Sequence, residues 1–204
     1  MDYYKYGTKE IDYLKSKCEI LATSITRIGM INRKISPQPF QALISSIISQ
    51  QISTKAADTV WERLKELLGE VNAETIIEAK PESIQKCGMT NRKVTYIRGI
   101  AEAAKSGNID FVRLHRLSDE EIIKKLTALN GIGIWTVEML LIFSLCRPDV
   151  ISYGDLGIRK GIMHLYGLES LSKKEFEIYR QQFSPYNTVA SLYFWRLARE
   201  ADSK

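Results

Sequence analysis

The residues of this chain best suited to chemistry lie between Leu126 and Gly161, in the stretch LTALNGIGIWTVEMLLIFSLCRPDVISYGDLGIRKG. Asn130-Gly131-Ile132-Gly133 is a glycine turn with helical sequence on either side, and Tyr153-Gly154-Asp155-Leu156-Gly157 follows it with a carboxylate at its centre. Glycine supplies positive φ and bare backbone, so Gly131 and Gly133 are both expected to let a phosphate approach the amides that open the following helix. Gly131, Ile132, Gly133 and Thr136 are the candidate contacts for that phosphate. A carboxylate such as Asp155 can stabilise positive charge that builds only in a transition state, and can orient or activate a water. Asp155 also suits the N-cap of a helix over Leu156-Gly157-Ile158-Arg159. The two roles are compatible, because a capping carboxylate is held in a fixed orientation.

Helices must position these groups, and helical punctuation runs through the whole sequence. Phe40, Leu43, Ile44, Ile47, Ile48, Gln51 and Ile52 recur at spacings of three and four, with Gln41, Ser45, Ser46 and Ser49 opposite, which predicts an amphipathic helix opened by Ser36-Pro37-Gln38-Pro39. Ser53 caps a helix over 54–68 that Gly69 closes. Pro81 starts a short helix ended by Gly88, and Asn91 starts one that runs to Ser106-Gly107. Ser118 and Glu121 form a capping box for a helix ending near Leu129. Ile134 to Cys146 is apolar on nearly all sides and is expected to be a central, buried helix stopped by Arg147-Pro148-Asp149. Asp155 opens the next helix, Ser172 and Glu175 form another capping box, and Asn187 begins a last helix carrying Leu192, Tyr193, Trp195 and Arg196. Alternating β-branched runs are nearly absent, so the fold class is all-α, with about ten helices.

Composition narrows the function classes. The 204 residues are 45% hydrophobic, enough for a substantial core in one large or two small domains, and the net charge of +5 is compatible with a polyanionic partner. Cys18, Cys87 and Cys146 are far apart and odd in number, which gives neither a disulfide framework nor a zinc spacing and fits a reducing cytosol. The N-terminus MDYYKYGTKEIDYLK has no continuous apolar region. The most apolar window, Ile134 to Cys146, is interrupted by Glu138 and falls short of the roughly 20 residues a membrane helix needs. Neither a signal peptide nor a membrane span is expected, and the expected localisation is cytoplasmic. His115 and His164 show no ligand spacing.

Leu126 to Val137 resembles the helix-hairpin-helix element of the DNA glycosylase superfamily. Ser49-Gln50-Gln51-Ile52-Ser53, Tyr153-Gly154-Asp155-Leu156-Gly157 and Ser184-Pro185-Tyr186 match further segments of that family in the same order. The similarity is nearest to bacterial 3-methyladenine DNA glycosylase II and covers roughly Pro37 to Arg199. It implies two helical subdomains, a six-helix barrel at 37–147 and a second domain from 1–36 plus 148–204, with an active-site cleft between them. The extra N-terminal β-rich domain of larger bacterial members is not expected.

The resemblance also implies roles. Asp155 becomes the catalytic aspartate. Trp135 stands where bifunctional glycosylase/lyase relatives carry a lysine that attacks the sugar, so a water-using, monofunctional enzyme is implied. Its indole face suits an electron-poor alkylated base, although core packing is an alternative for such a ring. Met139, one turn on, and Tyr186, a second aromatic position, complete the candidate base pocket, while Gly157 replaces a bulkier pocket residue. Tyr186 equally suits a structural role after proline. Glu138 reads as a helix-surface residue, with a second acid as the alternative. Gln51 is the first candidate to enter the duplex and fill the gap left by a flipped nucleotide, with Gln50 and Ile52 as the others. A Gln closing a helix end is the alternative. The carbonyls of Thr127, Leu129 and Ile132 match positions that hold a monovalent cation, Na+ or K+, in relatives. An iron–sulfur cluster is excluded, because no cysteine follows Cys146.

The expected function is hydrolytic release of alkylated bases, 3-methyladenine and 7-methylguanine, from double-stranded DNA by base flipping, in base excision repair. No cofactor is expected, and a monomer is, since one cleft grips one duplex. Two rivals remain open at this point: a glycosylase for hypoxanthine or an oxidised purine, and a non-catalytic DNA-binding module in which Asp155 only caps its helix.

Overall fold

Local caps decide where most helices begin. In the computed structural model, which describes residues 2–202, the hydroxyls of Ser53, Ser118 and Ser172 accept the amide hydrogens of Ala56, Glu121 and Glu175, and Asp155 does the same for Ile158. Among the described residues there are twelve α-helices: α1 (Thr8–Lys17), α2 (Glu19–Ile28), α3 (Pro39–Ser49), α4 (Thr54–Leu68), α5 (Ala73–Glu78), α6 (Pro81–Lys86), α7 (Asn91–Lys105), α8 (Asp119–Leu126), α9 (Ile134–Phe143), α10 (Leu156–Tyr166), α11 (Lys173–Phe183) and α12 (Asn187–Asp202). A 3-10 turn at Leu114–Arg116 and one isolated bridge between Tyr3 and Lys34 complete the regular structure. The protein is all-α.

The sequence predicts nine of these helices, and the other three are α1 and α2 in the first 35 residues and the short α5 capped by Asn72. Three helices end early. The helix expected to include Gln51 and Ile52 stops at Ser49, so those residues lie in a turn and their place in the apolar spacing is coincidental. The helix expected to run to Leu129 stops at Leu126, with Thr127 as its C-cap. The helix expected to reach Cys146 stops at Phe143, where Cys146 takes a positive φ of 52° and the Arg147 amide donates to the Leu141 carbonyl at 2.9 Å.

The chain forms two compact units, Met1–Ile35 with Leu141–Lys204, and Ser36–Leu140. The chain therefore passes from one to the other after Ile35 and again inside α9. In the first unit α12 is the axis. It packs against α10, α11 and α1, and Tyr193, Phe194, Leu197 and Phe183 are buried around it with Leu14, Leu21 and Ile162. The α10–α12 crossing depends on Gly161, since a Cβ there would overlap the carbonyl of Phe194. In the second unit α7 is the shared neighbour of α3, α5 and α6, and buries Val94, Ile97 and Ile100. On α3, Leu43, Ile44, Ile47 and Ile48 form the buried stripe that the spacing predicted.

Candidate active site

In the first unit the candidate catalytic residue is Asp155. As N-cap of α10 it accepts the Ile158 amide hydrogen on Oδ1 at 2.9 Å, and the same oxygen accepts the indole N–H of Trp195, also at 2.9 Å. The residue is 8% exposed, so two N–H donors hold a nearly sealed carboxylate in one orientation. Trp195 is fixed in turn by stacking on Phe143, with ring centroids 5.5 Å apart. The Arg33 guanidinium lies 4.6 Å from the Phe143 centroid, and burial, then the like charge of Arg199, pushes its pKa below the usual arginine range. Gly157 is needed for this packing. A Cβ at 157 would stand 2.9 Å from Trp195 Cδ1 and 3.2 Å from Asp155 Oδ1, so the residue assigned to the base pocket is pressed against the carboxylate's own support.

Tyr186 is half-buried and stacks edge-on against Tyr13 at 5.1 Å. Its loop is organised by Asp149. One carboxylate oxygen accepts the Ser184 hydroxyl at 2.6 Å, and the other accepts the Asn187 side-chain amide at 2.6 Å and backbone amide at 3.3 Å.

In the second unit the hairpin and the turn after α3 are joined. The Gln50 side-chain amide donates to the Gly131 carbonyl at 2.9 Å, and the Lys93 ammonium donates to the carbonyls of Ile48 and Gln50, both at 2.7 Å. Burial pushes the Lys93 pKa down. Gln51 is exposed with φ of 59°, and Ile52 is exposed beside it. Of the three gap-filling candidates, Gln50 is thus turned into the protein.

The hairpin differs from expectation in three respects. Gly131 has φ of 85°, and a Cβ there would overlap the Tyr96 ring, but Gly133 is outside the left-handed region and has open space around it. The Ile132 amide, expected to meet a phosphate, donates instead to the Leu129 carbonyl at 3.2 Å. Thr136, another expected contact, is 7% exposed, because it already lies on the inner side of α9. The exposed start of the helix is Gly133, Ile134 and Trp135, where the first amides of an α-helix have no intrahelical acceptor. Trp135 is 47% exposed, and Met139 is half-buried one turn on.

The structure thus brings together Asp155, Gly157 and Trp195 in one unit, and Gln50, Lys93, Tyr96 and Gly131 in the other. Lys93, Tyr96 and Arg33 have no place in the sequence analysis, and Trp195 and Asp149 enter it only as part of a helix and of a helix stop. Lys93 in Thr90-Asn91-Arg92-Lys93 has the look of an ordinary solvated charge at a helix start, and nothing in the spacing pairs Trp195 with Asp155.

A glycine hairpin that opens a helix, followed in the chain by an aspartate capping another helix, defines the helix-hairpin-helix base-excision class. Residues 44–185 match the HhH-GPD superfamily of base excision DNA repair proteins, and the chain belongs to that family. It is 38% identical over 170 residues to DNA-3-methyladenine glycosylase 1 of Schizosaccharomyces pombe, covering 81% of this chain and 75% of that protein. A crystal structure of DNA-3-methyladenine glycosidase from Bacillus halodurans is similar at a TM-score of 0.89, with 36% identity over 100% of this chain and 95% of that one. The S. pombe 3-methyladenine DNA glycosylase in complex with abasic DNA is similar at 0.79, with 35% identity over 93% and 96% of the two chains.

Proposed function

We propose that this protein is a monofunctional DNA glycosylase that flips alkylated bases, 3-methyladenine foremost, out of double-stranded DNA and hydrolyses their N-glycosidic bonds. The observation that carries the reading is Asp155, a nearly buried carboxylate clamped through one oxygen by the amide of Ile158 and the indole of Trp195. Alkylation of a ring nitrogen makes the base cationic and weakens its bond to C1′. As that bond breaks, the base leaves with the electron pair and positive charge passes to the sugar. A fixed anion stabilises that charge more than it stabilises the ground state. Water then forms the new bond at C1′, and Asp155 or solvent takes its proton. A general acid for the leaving base is unnecessary.

Trp135 at the hairpin offers no amine, so the product is an abasic site without strand cleavage. Trp135, Met139 and Tyr186 are the base-contacting residues of this reading, and Gln51 fills the gap in the duplex. Gly133 and the start of α9 receive the phosphate. The carbonyls of Thr127, Leu129 and Ile132 are hard oxygen donors suited to Na+ or K+, and the Leu129 carbonyl keeps a second lone pair beside its bond from Ile132. Among the described residues no group of three or more His, Cys, Asp or Glu is arranged to hold a metal, and no helix is long and apolar enough to cross a membrane. A cytosolic monomer acting on chromosomal DNA fits this reading.

The test is a panel of duplexes carrying single 3-methyladenine, 7-methylguanine, hypoxanthine or 8-oxoguanine, scored for breaks with and without alkali. Alkali-dependent breaks on the methylated duplexes are expected. Breaks before alkali, or a borohydride-trapped protein–DNA adduct, would overturn the monofunctional assignment. Release of none of these bases would leave the DNA-binding module.

A further inference from the structure

We propose that the first turns of α7 are a brace that holds the DNA-entering turn at Gln51 and the hairpin at Gly131 in fixed register, with Lys93 as the positioning residue. Three contacts carry it, two of them made by α7 itself. Lys93 Nζ reaches two carbonyls at the end of α3, Ile48 and Gln50, each at 2.7 Å. The last carbonyls of a helix have no intrahelical donor and carry its negative dipole end, so an ammonium is the group that satisfies both demands at once. One turn further along α7, the Tyr96 ring packs so closely under Gly131 that no side chain fits at that position. The Arg92 guanidinium donates to the Tyr96 hydroxyl at 2.6 Å and fixes that ring. The third contact is Gln50, whose side-chain amide bonds the Gly131 carbonyl and closes a circuit from α7 through the turn and hairpin back to α7.

The circuit has a consequence for the two residues outside it. Gln50 spends its side chain on the hairpin, and the backbone reverses immediately after it, with Gln51 in the left-handed region at φ 59°. A non-glycine residue holds that conformation only where its surroundings impose it. Lys93 supplies the restraint by gripping the carbonyl of Gln50, the residue before the reversal. Gln51 is thereby presented to solvent on a preset backbone, and the backbone part of the ordering cost of gap filling is met before DNA arrives. This inference rests on the base-flipping reading above and assigns gap filling to Gln51 in preference to Gln50 and Ile52.

The experiment uses the full-length protein and two probes. The first is a duplex with a tetrahydrofuran abasic analogue opposite 2-aminopurine, whose fluorescence reports a side chain entering the stack and requires no base release. The second is 3-methyladenine excision from a fully paired duplex and from one in which the lesion is bulged, with no opposing base. Lys93→Met is expected to abolish most of the fluorescence change and to slow excision from the paired duplex about tenfold, sparing the bulged one. Lys93→Arg, which can still donate to both carbonyls, is expected to restore both signals. In a Gln51→Ala background Lys93→Met should add less than about twofold, because both changes remove the same event.

Equal losses on paired and bulged substrates, additive losses in the double variant, or an unaltered fluorescence response would each overturn the brace. If Lys93→Met lowers the melting temperature enough to confuse the comparison, Lys93→Arg in the wild-type and Gln51→Ala backgrounds decides it. There, full activity in the first and no further loss in the second is the expected pair, and any loss confined to the second overturns it. Absence of base release by the unmodified protein would remove the function proposed above, and the fluorescence arm would still decide the brace.

Discussion

The carboxylate corner and the braced tips solve opposite problems. Around Asp155 a nearly buried carboxylate receives two N–H donors on one oxygen while the indole that supplies one of them is itself held by stacking. Around Gln51 and Gly133 the residues that would meet DNA are exposed, and their support behind them is half-buried, an ammonium on two carbonyls and a tyrosine under a glycine. One region keeps a charge strong by sealing it. The other keeps exposed groups in place by anchoring the backbone behind them. Substitutions in the first should therefore act on chemistry with binding intact, and substitutions in the second on binding, paired-duplex selectivity or stability.

The largest effect is expected for Asp155→Asn. The amide still accepts from Ile158 and keeps the cap, but the negative charge is lost. Single-turnover release of 3-methyladenine should fall about a thousandfold or more, equivalent to about 4 kcal/mol, with duplex affinity unchanged. Unaltered release would remove Asp155 from the mechanism and reduce it to a cap.

Gly131→Ala comes next and tests the other region. A Cβ at φ 85° is strained and meets the Tyr96 ring, so the ring or the hairpin must move. The expected loss is about 2–3 kcal/mol, read as a lower melting temperature and urea midpoint. A variant as stable as the parent would show that the hairpin is not seated on α7.

Trp195→Phe removes one donor from Asp155 while retaining a ring to stack on Phe143. Stopped-flow single-turnover rates should fall about tenfold, about 1.4 kcal/mol, with duplex affinity unchanged. A drop in affinity with an unchanged chemical rate would move Trp195 from the carboxylate's support to the DNA interface. The distinction is sharp because Gly157 leaves no space for any other large group between the indole and Asp155.

What was legible in the sequence follows the range of the interactions. The caps at Ser53, Ser118, Asp155 and Ser172 bond three residues ahead, so their signature is contiguous and the helix starts were readable. The apolar stripe of α3 was readable for the same reason, but its period ran on by chance into Gln51 and Ile52, which lie beyond the helix. Contacts that build the site span far more chain: 40 residues from Asp155 to Trp195, 43 from Gln50 to Lys93 and 81 from Gln50 to Gly131. No periodicity encodes such pairs. Asp155 and the hairpin could be found because each carries a local motif. Their supports, a tryptophan on an amphipathic helix and a lysine in a charged helix start, look like any others until the chain is folded.

The smallest expected effect on the fold, and the most direct test of the phosphate grip, is Gly133→Ala. Gly133 was paired with Gly131 as a second positive-φ glycine, yet its backbone is not left-handed and nothing lies within 4 Å of an added Cβ. Alanine therefore fits, and the reduced freedom of the unfolded chain offsets its poorer aptitude at a helix start. Stability should stay within about 0.5 kcal/mol of the parent. Gly133 stands at the exposed start of α9, whose first amides suit a phosphate, the group with the right charge. A methyl group there would push that phosphate away, so duplex affinity in titration calorimetry should weaken about tenfold, with release of prebound base unaffected. Unchanged affinity would place the phosphate contact elsewhere and leave Gly131, held by Tyr96, as the hairpin's one indispensable glycine.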